Sequence, residues 1–139
     1  MDPYTHAKNS AKRFGGVPED YIEIHQFMDS SKSHMADIRH RLLLHHSFGV
    51  DLATRICGDI ALVGERYVHT GTIRNSEGKV VYVRDVAEQH IREDVLEIPS
   101  VAEAFAMIEP HLAQPVIGMF KVLVRRFKAQ MASGAKEIE

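Results

Sequence analysis

The sequence predicts a mainly α fold: a single helical domain of about five or six helices with one small β-hairpin, over residues 1–134, then a frayed tail at 135–139. Three observations predict it. The 139 residues are 45% hydrophobic and 26% charged, which suits one packed core and is too short for two. Helix start and stop signals recur along most of the chain. One stretch, about 67–83, turns instead to β-branched and aromatic residues around a turn sequence.

The elements follow in order. Asp2-Pro3 supplies an N-cap and a first helical residue, and Gly15-Gly16 ends that helix after Phe14. Val17-Pro18-Glu19-Asp20 reads as a turn, with a second helix from about Glu19 to Met28. Asp29-Ser30-Ser31 offers caps for a long helical stretch from Lys32 to Cys57, with a break at Phe48-Gly49 and a restart at Asp51 as a variant. Gly58 ends it. Tyr67–Ile73 and Lys79–Val83 form the hairpin across Arg74-Asn75-Ser76-Glu77-Gly78. Asp85 caps a helix through about Leu96, stopped by Ile98-Pro99. Ser100-Val101-Ala102-Glu103 is a capping box, and Pro115 opens a last helix, Val116 to Ala132, before Gly134.

Composition narrows the function. A formal charge of -2 argues against a broadly basic nucleic-acid binder, and nucleic acid is not expected as a partner. Apolar runs such as Leu42-Leu43-Leu44 and Val122-Leu123-Val124 are far short of the roughly 20 residues of a membrane span. No basic region followed by an apolar stretch opens the chain, so the expected location is the cytoplasm. The lone Cys57 reads as a small buried hydrophobe. The last helix carries Lys121, Arg125, Arg126 and Lys128 on one side and Phe120, Leu123 and Phe127 among its apolar residues, an expected interface with a second copy or a protein partner.

The chemical content lies in nine histidines, five of them between His25 and His46. His25 with Asp29, and His90 with Asp94, are four apart, the spacing that puts two side chains on one side of a helix. Such pairs from facing helices hold zinc, iron or manganese in helical bundles. His34 and His45 share a face of the long stretch but stand roughly 16 Å apart along a straight helix, so one metal cannot take both. The candidate metal ligands are therefore His34, His45, His46, His90 and Asp94, best joined as His45 or His46 with His90 and Asp94, with His25 and Asp29 as a second cluster. The expected cofactor is a divalent metal, Zn, Mn or Fe. Arg41 shares the face of His34 and His45; a cation there disfavours a metal and suits a small anionic ligand. Arg39 and His40 are expected to face solvent, and His6, His69 and His111 have no useful neighbours in sequence. A hydrogen-bonded structural network, a metal site and an anion pocket all remain open readings. The chain has neither a His-Glu-x-x-His motif nor the adjacent His-Asp pair of the HD phosphohydrolases.

The segment His25-x-x-Met28-Asp29-x-Ser31-Lys32-x-His34-x-Ala36-Asp37-x-Arg39-His40-Arg41, followed by His45-His46, resembles a small domain family of unknown function from bacteria and their phages. Asn75-Ser76-Glu77-Gly78-Lys79-x-Val81-x-Val83-Arg84, then Glu88-Gln89-His90-x-x-Glu93-Asp94 and Ile98-Pro99-Ser100, is similar to its second half. The resemblance covers roughly residues 6–104 and implies a bacterial or phage setting, but no activity. Asp59–Thr72 and the segment after Pro115 depart from its pattern.

Two functions are weighed. One is a divalent-metal-dependent hydrolase of phosphorylated or nucleotide-like substrates, with Glu88 or Glu93 as general base and Arg41 holding the anion. The other is a non-enzymatic interaction protein that oligomerises or binds a partner through its C-terminal helix.

Overall fold

The computed structural model describes residues 1–110 apart from Ala36 and Ile108. The expected last helix, its interface residues Phe120, Leu123 and Phe127, and the tail at 135–139 lie outside the described residues.

Helix α1 spans Pro3–Phe14, with Asp2 accepting from the amides of Tyr4 and Thr5 and Gly15 closing its end at φ 89°. A 3-10 turn, Pro18–Asp20, leads into α2, Ile22–Met28. The chain then runs through two more 3-10 turns, Ser30–Ser33 and Ile38–His40, into the short α3, Arg41–Leu44, and α4, Ser47–Ile56. Strands β1, Ile60–Val63, and β2, Arg66–His69, precede β3, Thr72–Arg74, and β4, Val80–Tyr82. Helix α5 spans Val83–Val95, and a further helical segment covers 101–107. The Ser100 capping box forms as expected: the Glu103 amide donates to Ser100 Oγ and the Ser100 amide to Glu103 Oε2.

The chain is mainly α with a small β part, but the expected single hairpin at about 67–83 is overturned. Two separate two-stranded antiparallel sheets stand there. Tyr67 and its neighbours pair backwards, Ile60 opposite His69 and Val63 opposite Arg66, around the tight turn at Gly64, whose φ is +64°. Only Thr72–Arg74 pairs with Val80–Tyr82 across the Asn75–Gly78 turn. Gly71, at φ +69°, redirects the chain between the two sheets. A left-handed glycine at each place lets one apolar run split into two pairings.

The long helix expected from Lys32 to Cys57 is also corrected. The break falls at His45-His46, not at Phe48-Gly49, and the restart is capped by His46 rather than Asp51. His46 is extended at φ -155°, and its Nδ1 accepts from the Gly49 amide. Gly49 lies so close under α3 that a Cβ there would meet the Leu44 carbonyl oxygen at 1.9 Å. A kink this tight requires glycine at the contact. Between His34 and His45 the chain runs through the 3-10 turn Ile38–His40 and the four-residue α3, so the wheel relating them has no helix to act on.

The core is one apolar cluster shared by α1, α2, α4 and α5, including Ala7, Tyr21, Ile24, Met28, Val50, Ala53, Val86, Ala87 and Ile91. Among the described residues, no helix is long and apolar enough to cross a membrane. Beside this apolar core the domain also buries an unusual polar set: His6, Ser10, His25, Asp29, His40, His45, Gln89 and His90.

Candidate metal centre

Each helix contributes through its own periodicity. On α1, His6 and Ser10 are four apart and turn inward with Ala7. On α2, His25 faces inward, and Asp29 stands just past the helix end, its backbone amide bonded to the His25 carbonyl. His45 ends α3, where the chain leaves helical geometry and its side chain is released toward the middle of the domain. On α5, His90 and Asp94 are one turn apart, with Gln89 and Glu93 on the adjoining stripe.

Four donor atoms converge. His90 Nε2 lies 3.1 Å from His45 Nε2 and 3.4 Å from Asp29 Oδ1. His45 Nε2 lies 3.3 Å from Asp94 Oδ2 and 3.7 Å from Asp29 Oδ1. One ligand atom from each of Asp29, His45, His90 and Asp94 falls within 4.8 Å of the others. Donors around a tetrahedral ion with bonds of about 2.0–2.2 Å sit about 3.3–3.6 Å apart, a spacing that the separations of 3.1–3.7 Å bracket. All four side chains are almost fully removed from solvent, Asp94 at 2% and Asp29 at 4%.

Hydrogen bonding points the same way. Asp29 Oδ1 and Asp94 Oδ2, the two oxygens that face the ring nitrogens, are buried without a hydrogen-bond partner. Their sister oxygens are engaged: Lys32 Nζ donates to Asp29 Oδ2 at 2.7 Å, and the Met1 ammonium donates to Asp94 Oδ1 at 3.1 Å. Buried polar atoms are rarely left unpaired, because each costs about 1–3 kcal/mol. A cation among these donors removes that cost. The buried His/Asp groups could thus hold a metal ion.

Protonation states suit the same purpose. Burial pushes His45 down to about 4, with the Asp94 carboxylate beside it only partly opposing the shift, and burial also lowers His90. Burial works against the charge on Asp29 and Asp94, yet His90 and Lys32 beside the first, and His45 and His6 beside the second, hold both well below the usual carboxylate range. At neutral pH the centre presents neutral imidazoles and ionised carboxylates, the forms that bind metals.

Behind this set stands a second layer. His25 Nδ1 lies 3.0 Å from His90 Nδ1, and His25 Nε2 lies 2.9 Å from Ser10 Oγ. Burial beside His90 and His6 pushes His25 down to about 3. His6 is fully buried, with Nδ1 2.5 Å from Glu93 Oε2 and Nε2 3.4 Å from Asp94 Oδ1. Burial disfavours its charge, but the two carboxylates outweigh that and raise it. His40 Nδ1 lies 2.6 Å from the Asp37 carbonyl oxygen, and its Nε2 points toward Asp29 Oδ1 at 3.8 Å.

Of the residues singled out from sequence, the structure brings together His45, His90, Asp94 and Asp29, with His25 one contact behind them. Arg41 reaches the rim: its Nη2 lies 3.5 Å from Asp94 Oδ2, and its side chain stays about a quarter exposed. His34 is exposed and apart from the cluster. His46 caps α4, with Nε2 2.9 Å from the Leu42 carbonyl oxygen. Glu88 lies on the outer side of α5, paired with Arg84 and Arg92. The expectation that His40 faces solvent is corrected, since it is 5% exposed. His6, Ser10 and Gln89 were not anticipated, and Glu93, weighed as a general base, instead meets Gln89 and His6. The i,i+4 spacing of His6 and Ser10, and of Gln89 and Glu93, was their available signal.

A shallow pocket reaches this centre, with Arg41 and His45 among its lining and Ile38, Val95, Pro99, Ala104 and Met107 around them.

Comparison with known proteins adds the family. Neither the curated proteins nor the solved structures contain a match to the chain. Residues 1–113 match a family described as "Domain of unknown function (DUF6915)", a span that takes in every residue of the cluster and stops short of Pro115. The chain therefore belongs to the DUF6915 family of domains of unknown function.

Proposed function

We propose that this domain binds one divalent transition-metal ion through Asp29, His45, His90 and Asp94, and uses it to hydrolyse a phosphorylated, nucleotide-like substrate. The observation that carries the reading is the convergence of four buried donors at coordination spacing, two of them carboxylate oxygens without a hydrogen-bond partner. Two imidazoles and two carboxylates form a mixed N/O set that suits Zn, Mn or Fe. A bound ion of this kind lowers the pKa of water and polarises a phosphoryl oxygen. Arg41, charged and about a quarter exposed beside Asp94, is the group that would hold the anion in this reading. Its pocket has a mainly apolar rim, which favours shielding of that group from bulk water. Glu88 has no part in this reading, because both its oxygens are engaged by arginines on the outer side of α5. The setting we propose is the cytoplasm of a bacterial or phage-infected cell, as the sequence resemblance implies.

The test has two stages. Metal content is measured on protein purified without a histidine tag, expecting close to one ion per chain that is lost in Asp29→Asn and His45→Ala. Hydrolysis of phosphomonoesters, phosphodiesters and nucleotides is then followed with the chelated and the reloaded protein. Metal-free protein that takes up no Zn, Mn or Fe refutes the centre. A loaded protein inactive on every substrate class refutes the hydrolase.

A further inference from the structure

We infer that Gln89, Ser10 and His25 form a directional hydrogen-bond relay that fixes the tautomer of His90 and so keeps its Nε2 lone pair turned into the metal centre. The inference deepens the metal reading and rests on it for its purpose, but the tautomer itself can be observed without any metal.

The direction is set at the far end. Glu93 is a carboxylate and can only accept, so the Gln89 group 2.7 Å from Glu93 Oε1 is the amide Nε2. That orientation leaves Gln89 Oε1, which can only accept, facing Ser10 Oγ at 3.2 Å. Ser10 has a single hydroxyl proton, and it goes to Gln89. Ser10 Oγ must then accept from His25 Nε2 at 2.9 Å, so the proton of His25 sits on Nε2. Neutral His25 is left with a lone pair on Nδ1, which faces His90 Nδ1 at 3.0 Å. Two lone pairs at that distance repel, so His90 Nδ1 carries the proton and donates it. Neutral His90 then holds its lone pair on Nε2, the atom that faces His45 Nε2 and Asp29 Oδ1. From Glu93 to His90 Nδ1, with Glu93 ionised and both rings neutral, this is the only assignment in which every contact has one donor and one acceptor.

All of the participating side chains except Glu93 are buried, so water does not compete for these bonds. The Glu93 end is anchored a second time by His6 Nδ1 at Oε2. Ligating histidines commonly owe their orientation and basicity to the partner on their other nitrogen, and losing that partner typically costs 10–100-fold in metal affinity. Here the partner is itself a histidine, and its polarity is set three residues away. Ser10, Gln89 and His25 are positioning residues in this scheme.

The experiment is long-range ¹H–¹⁵N NMR of the imidazoles in metal-free full-length protein, paired with zinc titration. The wild type is expected to show His25 protonated on Nε2 and His90 on Nδ1. In Gln89→Met the Ser10 proton is freed to point at His25 Nε2, so both tautomers should invert. Ser10→Ala removes the acceptor of His25 and should do the same. Both variants are expected to bind zinc about 10–100-fold more weakly than wild type. If either variant fails to fold, the other and the wild-type spectrum still decide the matter. His90 protonated on Nε2 in the wild type overturns the relay, as does a wild-type tautomer pattern that survives in either folded variant. Wild-type protein with the expected tautomers but no affinity for zinc, manganese or iron upholds the relay and instead removes the metal reading.

Discussion

Asp94→Asn is the most informative single substitution. The carboxylate of Asp94 meets two cations, the Met1 ammonium at 3.1 Å and Arg41 Nη2 at 3.5 Å, and two ring nitrogens, His45 Nε2 at 3.3 Å and His6 Nε2 at 3.4 Å. Its side chain is 2% exposed, so solvent cannot replace the lost charge. Asparagine keeps the shape and removes the charge. Breaking a buried ionic contact by changing one partner costs about 3–5 kcal/mol. The contacts are slightly long and Arg41 is part-exposed, so the lower end, about 3 kcal/mol, is expected. For a chain of this size that is a fall in melting temperature on the order of 10 °C. The metal reading adds a second signature. An ion held at about 100 times its Kd stabilises the folded state by about 2.7 kcal/mol, so chelation should lower the wild-type melting temperature by roughly as much again. Asp94→Asn should be indifferent to chelator. The assay is thermal unfolding of both proteins, with zinc and with chelator. An Asp94→Asn protein that melts with the wild type and still responds to chelator would show that Asp94 is neither a structural hub nor a ligand.

Further outcomes are expected. His34→Ala should leave metal content and melting temperature unchanged, because His34 is exposed and outside the cluster; a loss of metal would place it in the centre after all. The metal-free protein should lose stability as the pH falls from about 6.5 toward 4. His25 and His45, held at about 3 and about 4 when folded, stay neutral there while their unfolded counterparts take up protons. His6, raised in the folded state, is protonated in both states over that range and does not offset the loss. Two such groups give a slope on the order of 2–3 kcal/mol per pH unit near pH 5, read as a lower urea midpoint at pH 5 than at pH 7; equal midpoints would contradict the buried neutral histidines. Gly49→Ala should destabilise by about 1–3 kcal/mol and weaken metal binding, since the new methyl displaces Leu44 and with it His45. Native metal affinity in a folded Gly49→Ala protein would show that the kink does not position His45.

Much of this centre was legible in the sequence, for a definite reason. His90 with Asp94, and His25 with Asp29, lie within single helices or at their ends, where four-residue spacing is itself a spatial statement. What could not be read was which distant element meets them. His45 arrives because the chain leaves the helix at that residue, an effect of Gly49 packing under the Leu44 carbonyl that periodicity does not report. His40 is buried by a short 3-10 turn started by Asp37, too brief to carry a hydrophobic pattern. His6 looked isolated because its partners, Glu93 and Asp94, lie at the other end of the chain. In the β region, the Asn75–Gly78 turn was plain, whereas Ile60–Val63 followed by Gly64 hid a second turn inside what read as a lead-in.

The placing of the four donors along the chain bears on the order of events in folding. His45 and His90 are 45 residues apart, and Asp29 comes from a third segment, so their meeting closes long loops. Loop closure of that kind is entropically costly before native contacts reward it, and it is a late event. An ion held at the junction then behaves as a reversible cross-link among three segments that the transition state has not yet gathered. Its effect should fall on the rate of unfolding far more than on the rate of folding, and the loaded domain should owe its persistence to slow escape from the native state.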